Sequence, residues 1–277
     1  MLSYLVCATP RSGSTLLCEL LKHTNVAGRP EEYFEAKGDT GRPPHPGDYL
    51  ENLPRTGAGI RDDQTPPRAP AHSSLIGMSD YHEHLKRTFE LGTTPNGVFG
   101  TKMMWRHLPE LHALAGELPE YSGLELYDLL TRLFDEPRYV WVTRRDKVRQ
   151  AVSLWRALQT RSWRMERERK EGEEATLTYR FEGVDYLVKG LHADDEGWQA
   201  YFDQHRIPVL KVVYEDDLER DPEGTVRSVI DHVGAELDPG WHPAEKMQRQ
   251  ADQLSDEWVA AYHRDAAQAA GAVLVGR

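Results

Sequence analysis

The first twenty-one residues hold the tightest constraint on the fold. Leu2–Ala8 is a short, unbroken apolar run, as expected of a strand buried on both faces of a parallel sheet. Thr9–Thr15 is a small, polar turn, and from Leu16 the pattern changes to Leu16-Leu17 and Leu20-Leu21, which is helical spacing. Strand, turn and helix in that order open an α/β unit. Further strands are predicted over Gly97–Met103, Tyr139–Thr143 and Pro208–Tyr214. Helical patterns lie between them over Tyr81–Phe89, Leu108–Leu114, Leu124–Phe134 and Val148–Leu158, with a longer one over Val184–Phe202. The alternation predicts an α/β fold, doubly wound, with a central parallel sheet flanked by helices.

Two segments interrupt the pattern. Between Gly38 and Pro70 lie 7 of the 17 prolines, with little periodicity, which reads as an insert in a single domain spanning 1–277. Arg164–Glu174 is a mixed charge run whose simplest reading is a solvated face. The Ala-rich tail after Asp265 reads as a fraying terminal helix.

Charge limits the partners. Lys and Arg number 34 against 45 Asp and Glu, a formal net charge of −11, which argues against nucleic-acid or acidic-lipid binding through bulk charge. A small polyanion is a different matter, because a few local cations can hold one inside an acidic protein. The two cysteines, Cys7 and Cys18, make no disulfide framework, and no Cys/His spacing resembles a metal site. No window approaches the ~18 apolar residues of a membrane helix, and the apolar run at the start is too short for a signal peptide. A cytoplasmic protein without a metal is expected.

The turn after the first strand carries the chemistry. In Thr9-Pro10-Arg11-Ser12-Gly13-Ser14-Thr15-Leu16-Leu17, a helix N-terminus supplies backbone N–H donors and partial positive charge. Gly13 lets the backbone approach closely, Ser12, Ser14 and Thr15 add hydroxyls, and Arg11 adds a guanidinium that can grip two anionic oxygens. The bland reading is a small-residue cap on a core helix. The loop is not that of nucleotide triphosphatases, which needs Gly-Lys-Ser/Thr at its end.

The loop instead resembles the 5′-phosphosulfate loop of sulfotransferases that use 3′-phosphoadenosine 5′-phosphosulfate (PAPS). Val142-Thr143-Arg144-Arg145-Asp146 followed by Ala151-Val152-Ser153-Leu154-Trp155 is similar to their 3′-phosphate element, an Arg at a strand end and a Ser about two helical turns later. Val212–Leu218, with Tyr214-Glu215-Asp216-Asp217-Leu218, resembles a segment of these enzymes that is mainly structural. Within the superfamily the chain is most similar to the trehalose 2-sulfotransferase type. The likeness runs through Arg11–Leu17, Val26–Phe34, Thr94–Trp105, Gln150–Trp163 and Arg249–Trp258, and skips the Pro-rich insert.

That resemblance implies transfer of a sulfuryl group from PAPS to a hydroxyl of a small carbohydrate-like acceptor. Glu32, in a segment similar to the family's Pro-x-Glu-Phe-Phe, would be the base, with Arg11 and Lys102 as charge stabilisers. Taken alone, Glu32 is an ordinary carboxylate before Tyr33-Phe34, and Lys102 a strand-end lysine. Ser12, Gly13, Ser14, Thr15 and Leu16 would hold the 5′-phosphosulfate, and Arg144 with Ser153 the 3′-phosphate, with Arg145 an open alternative and Arg249 a further candidate. Glu31, Glu32, Tyr33 and Trp105 would meet the acceptor. Trp155 and Trp163 offer further flat faces, though core packing is the simpler role for any one tryptophan. His45 and His107 read as incidental. Pro10 stands where the family carries Gln, and the insert has no counterpart there; both leave the acceptor's identity open. A homodimer is implied by the resemblance alone. Rival readings are a nucleotide-dependent phosphotransferase, a sulfotransferase acting on a non-sugar hydroxyl, and a binding module that has lost catalysis.

Overall fold

The computed structural model describes residues 1–34, 81–160, 177–243 and 253–275. These fall into two compact units. The first holds the sheet and comprises described residues up to 145 together with 194–243. The second comprises 146–160, 177–193 and 253–275.

In the first unit, β1 (Leu2–Ala8), β2 (Val98–Met104), β3 (Arg138–Thr143) and β4 (Val209–Val213) form a sheet that is parallel throughout, in the order β2-β1-β3-β4. Central β1 is buried from Ser3 to Ala8, which is why its sequence is apolar without alternation. Edge strand β4 is only partly covered, and its exposed Lys211 lies 4.1 Å over the Trp141 ring, a charge of the kind that blunts a sheet edge.

The two faces of the sheet pack against different helices. Leu5, Cys7, Phe99, Met103, Tyr139 and Trp141 face α2 (Tyr81–Gly92), α3 (Leu108–Gly116), α4 (Leu126–Leu133) and the end of α6 (Phe181–His205), where Trp198 and Phe202 are buried. Tyr4, Val6, Ala8, Val140 and Val142 face α1 (Ser14–His23) and α7 (Pro222–Val233). The Val, Leu, Phe and Met side chains among these each contribute roughly 1.5–3 kcal/mol by leaving water. Helix α7 was not anticipated, although its signals are ordinary. Asp221 caps it by accepting from the Gly224 N–H at 2.9 Å, Pro222 opens it, and Gly234 closes it in the left-handed region.

The chain runs from β1 to β2 on one side, then to β3 on the other. The carboxyl ends of β1 and β3 therefore flank a topological switch point, where open α/β sheets bind their ligands.

The second unit packs α5 (Lys147–Thr160), the first half of α6 and α8 (Gln253–Val275) around Val152, Trp155, Leu187, Leu191, Trp258 and Tyr262. Among the described residues no helix is long and apolar enough to cross a membrane. The proposed insert, the charge run Arg164–Glu174, Trp163, His45 and Arg249 lie outside the described residues.

Candidate active site

The anion loop leaves β1 through two backbone positions in the left-handed region, Arg11 (φ 62°) and Gly13 (φ 94°). Gly13 caps α1 with no side-chain bond, and the first intrahelical bond runs from the Leu17 N–H to the Gly13 carbonyl at 3.1 Å. The N–H groups of Ser14, Thr15 and Leu16 thus precede the helical ladder, at its positive end. Ser12 and Ser14 are buried, and the Ser12 hydroxyl has no hydrogen-bond partner among the described residues. A buried polar atom of that kind costs stability unless something supplies a partner. A side chain at Gly13 would also collide, since a Cβ there would lie 2.4 Å from Tyr214 Cδ2. These features suit an anionic group seated on the loop. Leu16 is half-buried and packs towards the core, so its contribution is its backbone.

Lys102 reaches the loop from β2. It is 5% exposed, donates to Thr15 Oγ1 at 3.0 Å, and pairs with Glu32 Oε1 at 2.7 Å. Burial pulls the Lys102 pKa down, but Glu32 above all, with other negative neighbours, outweighs it and holds the ammonium above its ordinary value. The lysine is therefore charged at any physiological pH. Glu32 is about a quarter exposed (26%), so its carboxylate meets both the lysine and the outside.

The segment that carries Glu32 is laced to the outer edge of β2. The Lys102 N–H and the Thr101 hydroxyl both donate to the Glu31 carbonyl, at 2.9 and 3.1 Å. Gly28 (φ 66°) lets this segment approach, because a Cβ there would sit 2.5 Å from the Gly100 nitrogen. Glu31 turns away from Glu32 and pairs with Lys22 at 2.5 Å, while Lys22 also pairs with Glu19 at 2.7 Å. The Tyr33 hydroxyl donates to the Arg29 carbonyl, and Phe34 is core, edge-on to Phe134.

Arg144 enters from the end of β3. It donates to the Arg11 carbonyl at 3.4 Å, lies 3.5 Å from Glu215 and stacks 4.8 Å from the centre of the Tyr214 ring. Arg145 is exposed and pairs with Asp216. Of the two arginines left open by the sequence, Arg144 is the one beside the loop. Tyr214 was read as structural, yet it touches Gly13 and Arg144 together.

Two further residues escaped the sequence reading. Asp195, on the last turns of α6, accepts the Thr9 hydroxyl at 3.3 Å and the Thr143 hydroxyl at 2.5 Å. Trp198 donates its indole N–H to the Ala8 carbonyl at 3.1 Å. Asp195 thus joins the ends of β1 and β3, while Trp198 braces the end of β1.

The structure thus brings together Arg11–Leu16, Glu31, Glu32, Lys102 and Arg144 in the first unit. Trp105 is half-buried, edge-on to Trp198 at 5.2 Å, and leans on Gly197. Ser153 belongs to the second unit, half-buried on α5. Trp155 takes the simpler of its two roles, core packing. It is wholly buried, donates its indole N–H to the Thr178 carbonyl at 2.9 Å and packs on Gly183, so it presents no face to a sugar. Among the described residues no group of three or more His, Cys, Asp or Glu stands together to hold a metal ion.

Comparison with known proteins gives a consistent result. The family model described as Stf0 sulphotransferase matches residues 3–265. Trehalose 2-sulfotransferase of Mycobacterium tuberculosis is 37% identical over 268 residues, covering 95% of each chain. Its namesake from Mycolicibacterium smegmatis is 35% identical over 270 residues, again covering 95% of each. A sulfotransferase of solved structure from Alicyclobacillus acidocaldarius aligns over 95% of this chain and 92% of its own, at 15% identity and a TM-score of 0.46.

Proposed function

Because the chain belongs to the Stf0 sulphotransferase family and is thus an enzyme that transfers sulfuryl groups, we propose that it takes the group from PAPS and delivers it to a hydroxyl of trehalose or a closely related saccharide. One observation carries the reading: Lys102 touches Thr15 of the anion loop and the Glu32 carboxylate at once. A base, a cation and an anion cradle thereby share a single contact point.

The residues divide the work on chemical grounds. The N–H groups and hydroxyls of Ser12–Leu16 hold the 5′-phosphosulfate, and Arg11 and Lys102 neutralise charge that builds on it during transfer. Arg144, beside the loop, takes the 3′-phosphate; Ser153 and Arg249 are offered as further donors by the family resemblance alone. Sulfuryl transfer, like phosphoryl transfer, leaves the protein mainly positioning and charge stabilisation to supply. As the sulfur forms its bond to the acceptor oxygen and breaks that to the phosphate oxygen, Glu32 accepts the hydroxyl proton. The family resemblance is what offers Glu31, Tyr33 and Trp105 as further acceptor contacts.

The test is transfer of labelled sulfate from PAPS to a panel of saccharides. Trehalose labelled by the wild-type chain, and no product from Glu32→Gln although it still binds adenosine 3′,5′-bisphosphate, is the expected outcome. Absence of both transfer and nucleotide binding in the wild type overturns the reading. A homodimer in a reducing, cytoplasmic setting completes the proposal. Two buried thiols, Cys7 and Cys18, outside any disulfide are in keeping with that setting, and the mass in solution tests the dimer.

A further inference from the structure

Resting on the donor reading above, we propose that Asp195 is a positioning residue: it sets the separation between the anion loop and Arg144, and with it the preference for a nucleotide bearing both a 5′- and a 3′-phosphate. The registered ladder between β1 and β3 runs from Tyr4–Arg138 to Ala8–Val142. Thr9 and Thr143 come next in each chain, and each leads into a different anion-binding element. Thr9 opens the loop that ends in α1, and Thr143 is followed at once by Arg144. One carboxylate accepts both hydroxyls, one on each oxygen, and so clamps the two strand ends where they part.

The clamp is asymmetric. Both threonines are buried, and the Thr143 bond at 2.5 Å has the length of a charge-assisted one, while the Thr9 bond is longer at 3.3 Å. Asp195 is itself held on both sides along α6. Its neighbour Asp194 pairs with Arg106 at 2.8 Å, and Trp198, three residues on, bonds the Ala8 carbonyl from the core. The carboxylate cannot drift without moving a packed helix.

Electrostatics separates this role from a simpler one. A negative charge behind an anion site repels the ligand, so Asp195 cannot be there to attract it. If its only effect were charge, removing it would tighten every phosphorylated nucleotide. If it sets a distance, removing it weakens only the ligand that must reach both elements at once.

Adenosine 3′,5′-bisphosphate and adenosine 5′-monophosphate, titrated calorimetrically into the full chain, read the difference. The ratio of the two affinities is expected to fall at least fivefold in Asp195→Ala and in the near-isosteric Thr143→Val, and to persist in Thr143→Ser, which keeps the hydroxyl. An unchanged ratio in Thr143→Val, or a parallel change for both nucleotides, overturns the proposal. A wild-type chain that does not bind the bisphosphate overturns the donor reading and this inference with it.

Discussion

The ammonium of Lys102 stands 2.7 Å from Glu32 Oε1, the lysine almost wholly buried and the carboxylate partly open. Burial works against the Lys102 charge, but Glu32 outweighs it and keeps the ammonium protonated. On the proposed reading, the charge stabiliser and the base form one pair. Lys102→Met keeps the buried stem and removes the charge. The expected loss in kcat is about a hundredfold or more, the order seen when one charge-stabilising donor is removed. The double variant with Glu32→Gln should lose little beyond either single one, because the pair acts as a unit. Rates multiplying in the double variant would separate the two roles.

Gly13→Ala fails for two reasons that act together. The backbone there is left-handed, and the added methyl meets the Tyr214 ring. Strain of this sort costs about 1–3 kcal/mol. The variant should melt lower and lose adenosine 3′,5′-bisphosphate affinity by at least an order of magnitude. Calorimetry that shows wild-type affinity would remove the loop from the binding role.

The neighbouring arginines should behave differently. Arg144→Ala is expected to weaken the bisphosphate by about tenfold or more, the value of one lost charge-assisted contact. Arg145→Ala, which breaks only an exposed pair with Asp216, should stay within about twofold. The opposite order would exchange their assignments.

Alkaline pH offers a test of the core behind the site. Burial pushes the Cys18 thiol up to about 12. In the unfolded chain a thiol titrates near ~8.5. From there upward the unfolded state sheds a proton that the folded state keeps, so stability falls as pH rises and is fully retained below that point. The slope for one thiol is about 1.4 kcal/mol per pH unit. Cys18→Ala should lower the pH dependence of the unfolding free energy from urea titrations between pH 9 and 10 by about this amount, and an equal slope in the variant would place the titration elsewhere.

Strands were legible where burial is complete on both faces. β1 falls on Leu2–Ala8 as read, and β2 is displaced by a single residue, because an apolar run has few other places to go. The stripe Val226, Val229, Ile230, Val233 and its caps carry the same kind of signal, although no helix is predicted there from the sequence. The family resemblance is what links the loop, Glu32 and Lys102 in the sequence, and in the fold Lys102 touches both Thr15 and Glu32. Asp195 could not be foreseen in the same way. In Asp194-Asp195-Glu196 it looks like a solvated helical face, and only the hydroxyls of Thr9 and Thr143, distant in sequence, make it different. Tyr214 is similar: its meaning comes from a glycine two hundred residues earlier. Trp155 went the other way, an amphipathic side chain buried in the core whose indole N–H finds the Thr178 carbonyl at its margin.

Two cations of this site already hold carboxylates, Lys102 with Glu32 and Arg144 with Glu215, inside a chain that carries an excess of acid. On the proposed reading, docking of a highly charged nucleotide is for these two a trade of partners and not the filling of a bare positive hollow. Such a trade releases few bound counterions, so affinity should respond to ionic strength far less than the ligand's own charge suggests. It also gives selectivity without stickiness: an anion that cannot offer each cation a better partner than the one it has gains nothing by entering.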